Sequence, residues 1–462
     1  MSNFKHSLMP SSRLKDSIKK ITIIEIVLLQ ICLFYCFIYN DIVLTTRHGI
    51  VLWDCIFDGK IRSFYDVARQ RVCPAYYDFA MYIIFAIWNF PLWLSQKCGI
   101  IGNNPFDYLP SMMWAKSIIL FFAFVCLYYM WKILNIDGKY SKYDLVFLFS
   151  TDIFLTAFFC IVGQYDIITV SFMMAGLYYY LKGSEKKFIL AFAIAIPVKA
   201  FALLLFLPLL LQKEKNLLRI ILKVSFALLP VLALRLLVPI SANQPYNTSS
   251  LLHLVFNNAL TASNGHISLF CIGYIILLAY CYAHVFADVL YSSVVTAVSV
   301  FAVFLLLCNP FPYWWVYIAP FIVLLIMLNN KSNVVLQFFS IVGEISIVLS
   351  LIRIKYKVFS PINFNYGILN SSIYVDKSYI NAPVTMFDSF FPKTVINPGY
   401  ILEMMISLGF ACIALFVFFS RKRKLVNNEL INSSSNISFV YFLRLLLVFF
   451  IYFVIFLQLK YV

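Results

Sequence analysis

The sequence predicts an all-α polytopic membrane protein: about eleven transmembrane helices, a re-entrant helical hairpin and a long first outer loop. Three observations carry this. Of 462 residues, 63% are apolar and only 12% charged, whereas a soluble domain is about half apolar and about a quarter charged. So few charged groups cannot cover a water-facing surface, and the mean hydropathy is +0.88. Finally, the apolar residues fall into span-length runs whose ends alternate between basic clusters and loops poor in Lys and Arg. The 47 Phe and 30 Tyr exclude a disordered chain, and 11 Cys scattered mostly inside apolar runs exclude a disulfide scaffold. The net charge of +16 reflects basic groups at cytoplasmic span ends that touch anionic headgroups. No basic stripe is interleaved with exposed aromatics, so nucleic acid is excluded as a partner.

Lys5, Arg13, Lys15, Lys19 and Lys20 hold the N-terminus in the cytoplasm. The run 21–39 lacks a small-residue cleavage site and reads as a retained first helix that delivers Asp41 to the outer face. An outer polar and aromatic stretch, 41–77, follows. Residues 78–95 contain Pro91 and are read as a re-entrant or interfacial segment, because a full crossing would invert every later charge assignment. Further spans are expected at 117–134, 144–162, 166–181, 217–240, 267–286, 289–308, 313–329, 334–353, 400–420 and 438–459. Between them, 188–211 is flanked by basic clusters at both ends and interrupted by Pro197 and Lys199. It reads as two half-helices that enter and return with Lys199 near the tip. The loop 241–266 has no Lys or Arg, as an outer loop should. Residues 1–330 form one transmembrane module, and 331–462 add C-terminal helices with an outer loop at 354–399.

Ionisable groups at membrane depth are costly, so each is a candidate for function. Asp41 stands at the mouth of a span, where partial desolvation would raise its basicity. It is either a general base or a boundary marker. The outer stretch adds Arg47, His48, Trp53, Asp54, Asp58, Arg62, Tyr77 and Asp78. Asp54 and Asp58 share one face of an amphipathic helix from about Ile50 to Lys60, which a solvated face alone would explain. Gly163-Gln164-Tyr165-Asp166, between two apolar runs, is either a plain turn or a polar site. Lys199 needs an anion, either a bound phosphate or a structural partner such as Asp152 or Glu25. Arg235 either meets the same anion or snorkels. Tyr313 and Trp314, in Pro312-Tyr313-Trp314-Trp315, either belong to an interfacial aromatic belt or stack on a sugar. His266 lies in an outer turn. No Cys-x-x-Cys, His-x-x-x-His, nucleophile elbow or phosphate-cradling glycine loop occurs.

In order and sidedness these motifs resemble the GT-C superfamily of polyprenyl-phosphate-sugar glycosyltransferases, above all its bacterial and glycosylphosphatidylinositol-type mannosyltransferase branches. The residues concerned are Asp41 after the first span, Trp53-Asp54 through Gly59-Lys60-Ile61-Arg62-Ser63-Phe64-Tyr65, Tyr77-Asp78-Phe79, and Pro91-Leu92. Gly163-Gln164-Tyr165-Asp166, Pro197-Val198-Lys199 and Pro312-Tyr313-Trp314 complete the set. The resemblance covers roughly residues 20 to 330. Two positions depart from it: Ile42 follows Asp41 where a second acid is common, and Ala80 stands where Pro often does. The resemblance implies an inverting hexosyltransferase, for example a mannosyltransferase, in cell-envelope polysaccharide biosynthesis. Its donor would be a polyprenyl-phosphate sugar and its acceptor a lipid-linked or surface glycan. It further implies Asp41 as base, Lys199 or Arg235 stabilising the departing lipid phosphate, and Gln164, Tyr165 and Asp166 orienting sugar hydroxyls. Neither a cofactor beyond the donor nor a divalent metal is indicated. Two other classes fit the bare sequence: a transporter or flippase for lipid-linked glycans, and an outer-face polysaccharide polymerase using the loop 354–399.

Overall fold

In hydrocarbon the backbone must satisfy its own hydrogen bonds, so apolar runs of this length become helices. The computed structural model describes residues 12–102, 104–136, 138, 140–240, 259–262, 265–308, 311–329, 334–353, 398–421 and 434–461. Helix α1 (Ser12–Cys36) is followed by α2 (Asn40–Phe57), α3 (Phe64–Arg71), α4 (Phe79–Lys97) and α5 (Leu109–Leu134). Next come α6 (Lys142–Ser150), a π-helical segment (Leu155–Ile161), α7 (Ile167–Leu181), α8 (Glu185–Val198), α9 (Ala202–Lys213) and α10 (Leu217–Leu237). A two-stranded antiparallel hairpin, β1 (Ala259–Ala262) and β2 (Gly265–Ser268), precedes α11 (Leu269–Ala283) and α12 (Val289–Leu307). A 3-10 turn (Pro312–Tyr317), α13 (Ala319–Leu328), α14 (Val334–Arg353), α15 (Pro398–Arg421) and α16 (Ser434–Tyr461) complete the described chain.

Seven of these helices are long and apolar enough to cross a membrane, or eight if α6 and the π-helical segment count as one bent span. The chain is therefore a multi-pass membrane protein. The count falls below the eleven crossings read from the sequence because several runs fold into shorter pieces. Helices α7 and α11 have 15 residues each, about 22 Å at 1.5 Å per residue against a hydrocarbon core of about 30 Å. The run 144–162 is bent by 78° between α6 and the π-helical segment.

Three other segments take definite forms. The stretch 41–77 is largely helical rather than an open loop: α2 starts at Asn40, ten residues before the amphipathic helix expected at Ile50, and puts Asp41 in its first turn. An acid there complements the helix dipole. The segment read as re-entrant or interfacial at 78–95 is one continuous 19-residue helix, Phe79–Lys97, with Pro91 inside, and it is long and apolar enough to span. The run 188–211 divides into α8 and α9 with Lys199 at the division, but the strong bend between paired pieces lies at α6 and the π-helical segment. The loop expected at 354–399 lies almost wholly outside the described residues.

The main apolar core runs through α5, α7, α8, α9, α12 and α13. Two smaller cores hold α2 against α3 and α4 and against the start of α5. Helix α10 packs on α8 yet stays largely exposed, with just 6% of its span window buried. Ion pairs fasten its two ends. Lys223 meets Glu185 at 2.6 Å and Glu214 at 2.7 Å, and Arg235 meets Asp78 at 2.9 Å.

Helix α2 lies against α4 so closely that only hydrogen fits at Gly49. A Cβ there would come within 2.9 Å of the Ala86 nitrogen and the Phe85 carbonyl carbon. Backbone cannot move aside as a flexible side chain can, so Gly49→Ala must push the helices apart. We expect it to destabilise the protein by about 1–3 kcal/mol, read as a lower melting temperature of the detergent-solubilised protein. An unchanged melt would disprove the close approach.

Candidate functional site

Two breaks in helical structure meet at the candidate site. The first follows the π-helical segment. Gly163 takes a φ of 68°, which an L side chain rarely adopts, and turns the chain into Gln164, Tyr165 and Asp166 before α7 begins. A Cβ on Gly163 would also lie 2.8 Å from Cε of Lys116. Lys116 itself is fully buried on α5 and donates to the carbonyls of Phe34 and Phe37, each at 2.5 Å, and of Cys160 at 3.0 Å. It fastens the end of α1 to the π-helical segment and backs the site loop. The second break lies between α8 and α9 and exposes Lys199 to the first.

Lys199 Nζ lies 2.5 Å from Asp166 Oδ1, and the Tyr317 hydroxyl donates to the same oxygen at 3.1 Å. Asp152 and Glu25, the partners considered from sequence, are not involved. The ammonium also sits 5.3 Å from the Tyr77 ring centre, 5.6 Å from Trp314 and 5.8 Å from Phe201. These three faces favour a cation. Tyr165 is fully buried, meets Tyr77 edge to face at 5.3 Å, and accepts a long hydrogen bond from the Thr45 hydroxyl at 3.5 Å. Trp314 is 3% exposed and packs on Phe201 and Phe304, so it belongs to the interior rather than to an interfacial belt. Tyr313 is half-buried, stacked on Phe311, and within electrostatic reach of Tyr77 and Tyr165.

Asp41 reaches this cluster from the first turn of α2, a helix outside the set long and apolar enough to span. Burial pushes its carboxyl up to about 6; Lys199 draws it down and Asp166 raises it further. Its carboxylate has no hydrogen-bond partner among the described residues. Nearby polar atoms are also unsatisfied: Asp166 Oδ2, Gln164 Nε2 and Trp314 Nε1 are all buried without a partner. Leaving such an atom unpaired costs about 1–3 kcal/mol. The cluster therefore offers two carboxylates, two neutral N–H donors and an ammonium with one of its three protons engaged. That set suits a polyhydroxylated ligand, with the free ammonium protons as the one feature that favours an anionic group on it.

Other predicted residues are placed elsewhere. Asp54 accepts from Trp93 at 2.9 Å and pairs with Lys97 at 2.8 Å and Arg71 at 2.9 Å, tying α2 to α3 and α4. Burial alone would raise its carboxyl, but the bonds from Lys97 and Trp93 and the charge of Arg71 hold it below the usual range. Trp53 donates to the Ala86 carbonyl at 2.7 Å, and His48 bonds the Cys73 carbonyl at 3.0 Å. Burial pushes the His48 ring down to about 4. Arg47 is half-buried beside His48, and Arg62 and Asp58 are exposed. Arg235 does not reach the Asp166–Lys199 pair: its exposed guanidinium grips Asp78 with two bonds, at 3.0 and 3.2 Å. His266 pairs with Thr261 in the hairpin through its backbone, and its side chain lies outside the described residues. Tyr317, Phe201, Thr45 and Lys116 join the cluster or back it, though nothing in the sequence pattern singles them out.

Among the described residues no three His, Cys, Asp or Glu side chains gather as a metal site. A separate cavity of about 440 Å³ lies between α1, α5, α6 and the π-helical segment, lined chiefly by apolar side chains such as Ile31, Leu120, Phe124 and Phe159. Phe34 and Cys160 line it too, and their carbonyls receive Lys116, so the cavity ends one side chain from the site loop. The chain matches no family model, no curated protein and no solved structure.

A buried charge that loses its partner is more costly than the pair is favourable. Lys199→Met and Asp166→Asn should each destabilise the protein by about 3 kcal/mol, while the double variant loses clearly less than the sum. Chemical unfolding of all three in detergent checks this. Additive losses would show that the two side chains do not act as a pair.

Proposed function

We propose that the chain is an integral-membrane glycosyltransferase. It moves a sugar from a polyprenyl-phosphate donor to a lipid-linked or cell-surface glycan at the outer face of the cell membrane, with inversion at the anomeric carbon. The observation that carries this reading is the convergence of Asp41, made more basic by burial, on the Asp166–Lys199 pair and its unsatisfied neighbours.

In this reading Asp41 accepts the proton of the acceptor hydroxyl as its oxygen attacks the anomeric carbon. The C–O bond to the lipid phosphate breaks as the new bond forms, through an oxocarbenium-like transition state. The departing phosphate is already a stable anion and needs no acid. Lys199 stabilises its growing charge with the two ammonium protons that Asp166 does not hold. Asp166 Oδ2 accepts from a sugar hydroxyl, and Gln164 Nε2 and Trp314 Nε1 donate to others. Arg235, committed to Asp78, has no part in the transfer. The apolar cavity beside the site loop suits the isoprenoid chain. The N-terminus is cytoplasmic in this arrangement.

The 78° bend between α6 and the π-helical segment favours a second reading. Broken helices recur in transporters, so a flippase for lipid-linked glycans is the alternative, and it would form no new glycosidic bond. The loop on which the polymerase reading rests lies almost wholly outside the described residues.

The test is label transfer from a panel of radiolabelled polyprenyl-phosphate sugars to crude lipid acceptors by purified wild type and Asp41→Asn. Transfer by wild type, reduced at least about a hundredfold in the variant with an unchanged melt, is the expected result. Transfer that survives the substitution would move the base elsewhere. No transfer from any donor would turn the assignment to the flippase. The pH profile gives a further check. Asp41 must be ionised to act, so kcat/KM should be flat above about 6 and fall about tenfold per pH unit below it.

A further inference from the structure

Away from the candidate site, three ionisable side chains are fully buried where α6, α14 and α16 meet. Asp152 stands in the bend between α6 and the π-helical segment, Glu344 on α14 and Arg444 on α16; they are 0%, 0% and 1% exposed. Glu344 is well supplied with donors. The Ile153 N–H reaches its Oε2 at 3.0 Å, and the Ser340 hydroxyl bonds its Oε1. Arg444 donates to Ser340 Oγ at 3.2 Å and to Gln337 Oε1 at 3.2 Å, so its charge is relayed to Glu344 through Ser340. Asp152 differs. Its Oδ1 accepts from the Leu155 N–H at 2.9 Å, while Oδ2 is buried with no partner among the described residues.

Two carboxylates thus face one guanidinium in an apolar interior. Among the described residues the surrounding elements bury no second cation: Lys20 of α1 and Lys142 of α6 lie by the Tyr143 ring instead. Helix α6 adds buried Asp144, α16 adds the phenols Tyr441 and Tyr452, and the π-helical segment adds Cys160. The other buried bases among the described residues are His48, on α2, and Lys116, which is committed to backbone carbonyls. Burying an uncompensated negative charge is costly enough that the group takes up a proton instead.

We propose that Asp152 and Glu344 form a binding site for one exchangeable hydrogen ion, carried on Asp152 Oδ2. Glu344 has the Ile153 N–H and the Ser340 hydroxyl on its two oxygens; Asp152 takes the proton, because its donors are backbone N–H groups alone and its Oδ2 has none among the described residues. A metal cation fits less well, since three of the four carboxylate oxygens already accept from N–H or O–H groups and one free oxygen is no coordination shell. The step is a simple transfer, carboxylate plus hydrogen ion giving carboxylic acid. Losing the proton leaves two like charges at the bend and weakens the hold of α14 on the segment that leads to Gly163.

Infrared difference spectroscopy on the full-length protein in detergent tests this. The wild type should show a protonated-carboxyl stretch at neutral pH that shifts in heavy water and loses at least half its intensity when the bulk pH is raised. Asp152→Asn, a near-isosteric neutral side chain, should abolish that band, and Asp41→Asn should keep it. Absence of the band in wild type, or its survival in Asp152→Asn, overturns the proposal. A second measurement needs no variant. The wild-type melting temperature should not respond to sodium at constant ionic strength, and a saturable sodium-dependent rise would assign the site to a metal cation instead.

Discussion

The Lys199 ammonium and the Asp166 carboxylate lie 2.5 Å apart in surroundings that would not tolerate either group alone. Asp166 is fully buried and Lys199 largely so, and each fixes the other. Lys199 can arrive only because the chain stops being helical between α8 and α9, and Asp166 only because it does so again before α7. Two helix breaks in a membrane protein each expose backbone groups that must be satisfied. At the break before α7 Lys116 helps with this, donating to carbonyls at the end of α1 and in the π-helical segment. The buried base and the buried ion pair are therefore parts of one arrangement.

Much of that arrangement was legible in the chain. Gly163-Gln164-Tyr165-Asp166 and Lys199 stand out because polar residues inside apolar runs are rare, and the division of 188–211 follows from Pro197 and Lys199. Which of them meet was not legible. Lys199 pairs with a residue 33 positions away and Arg235 with one 157 positions away, and no local pattern encodes such partners. Lys116 was missed because it stands one residue before an apolar run, where a lysine reads as a flank. Tyr317 lies within the aromatic run after Pro312 and looks like its neighbours. Asp54 stands on α2 while Asp58 caps its end, where a helix running on to Lys60 was expected, and the fold half-buries the first among three donors and leaves the second exposed.

The acids of this chain divide into kinds by their donors rather than by their type. Asp54 has three side-chain donors and serves as a structural tie. Asp166 has a cation and a phenol on one oxygen and nothing on the other. Asp41 has none among the described residues, and Asp152 has backbone N–H donors alone with Oδ2 bare. The fewer the donors, the more readily a carboxylate takes a proton from elsewhere. The residues to which chemistry is assigned are those that the fold leaves short of hydrogen bonds.

Helix α10 has its charges at its two ends and apolar surface turned outward between them. Its 21 residues extend about 32 Å, close to the thickness of a hydrocarbon core. A bilayer thinner than this obliges the helix to tilt. Its end would then move relative to α4, where Arg235 holds Asp78, the residue next to Tyr77. The ring beneath Lys199 is thus two bonded neighbours away from a helix whose slope is set by lipid. Membrane thickness is, for this fold, a mechanical input to the geometry around its buried cation.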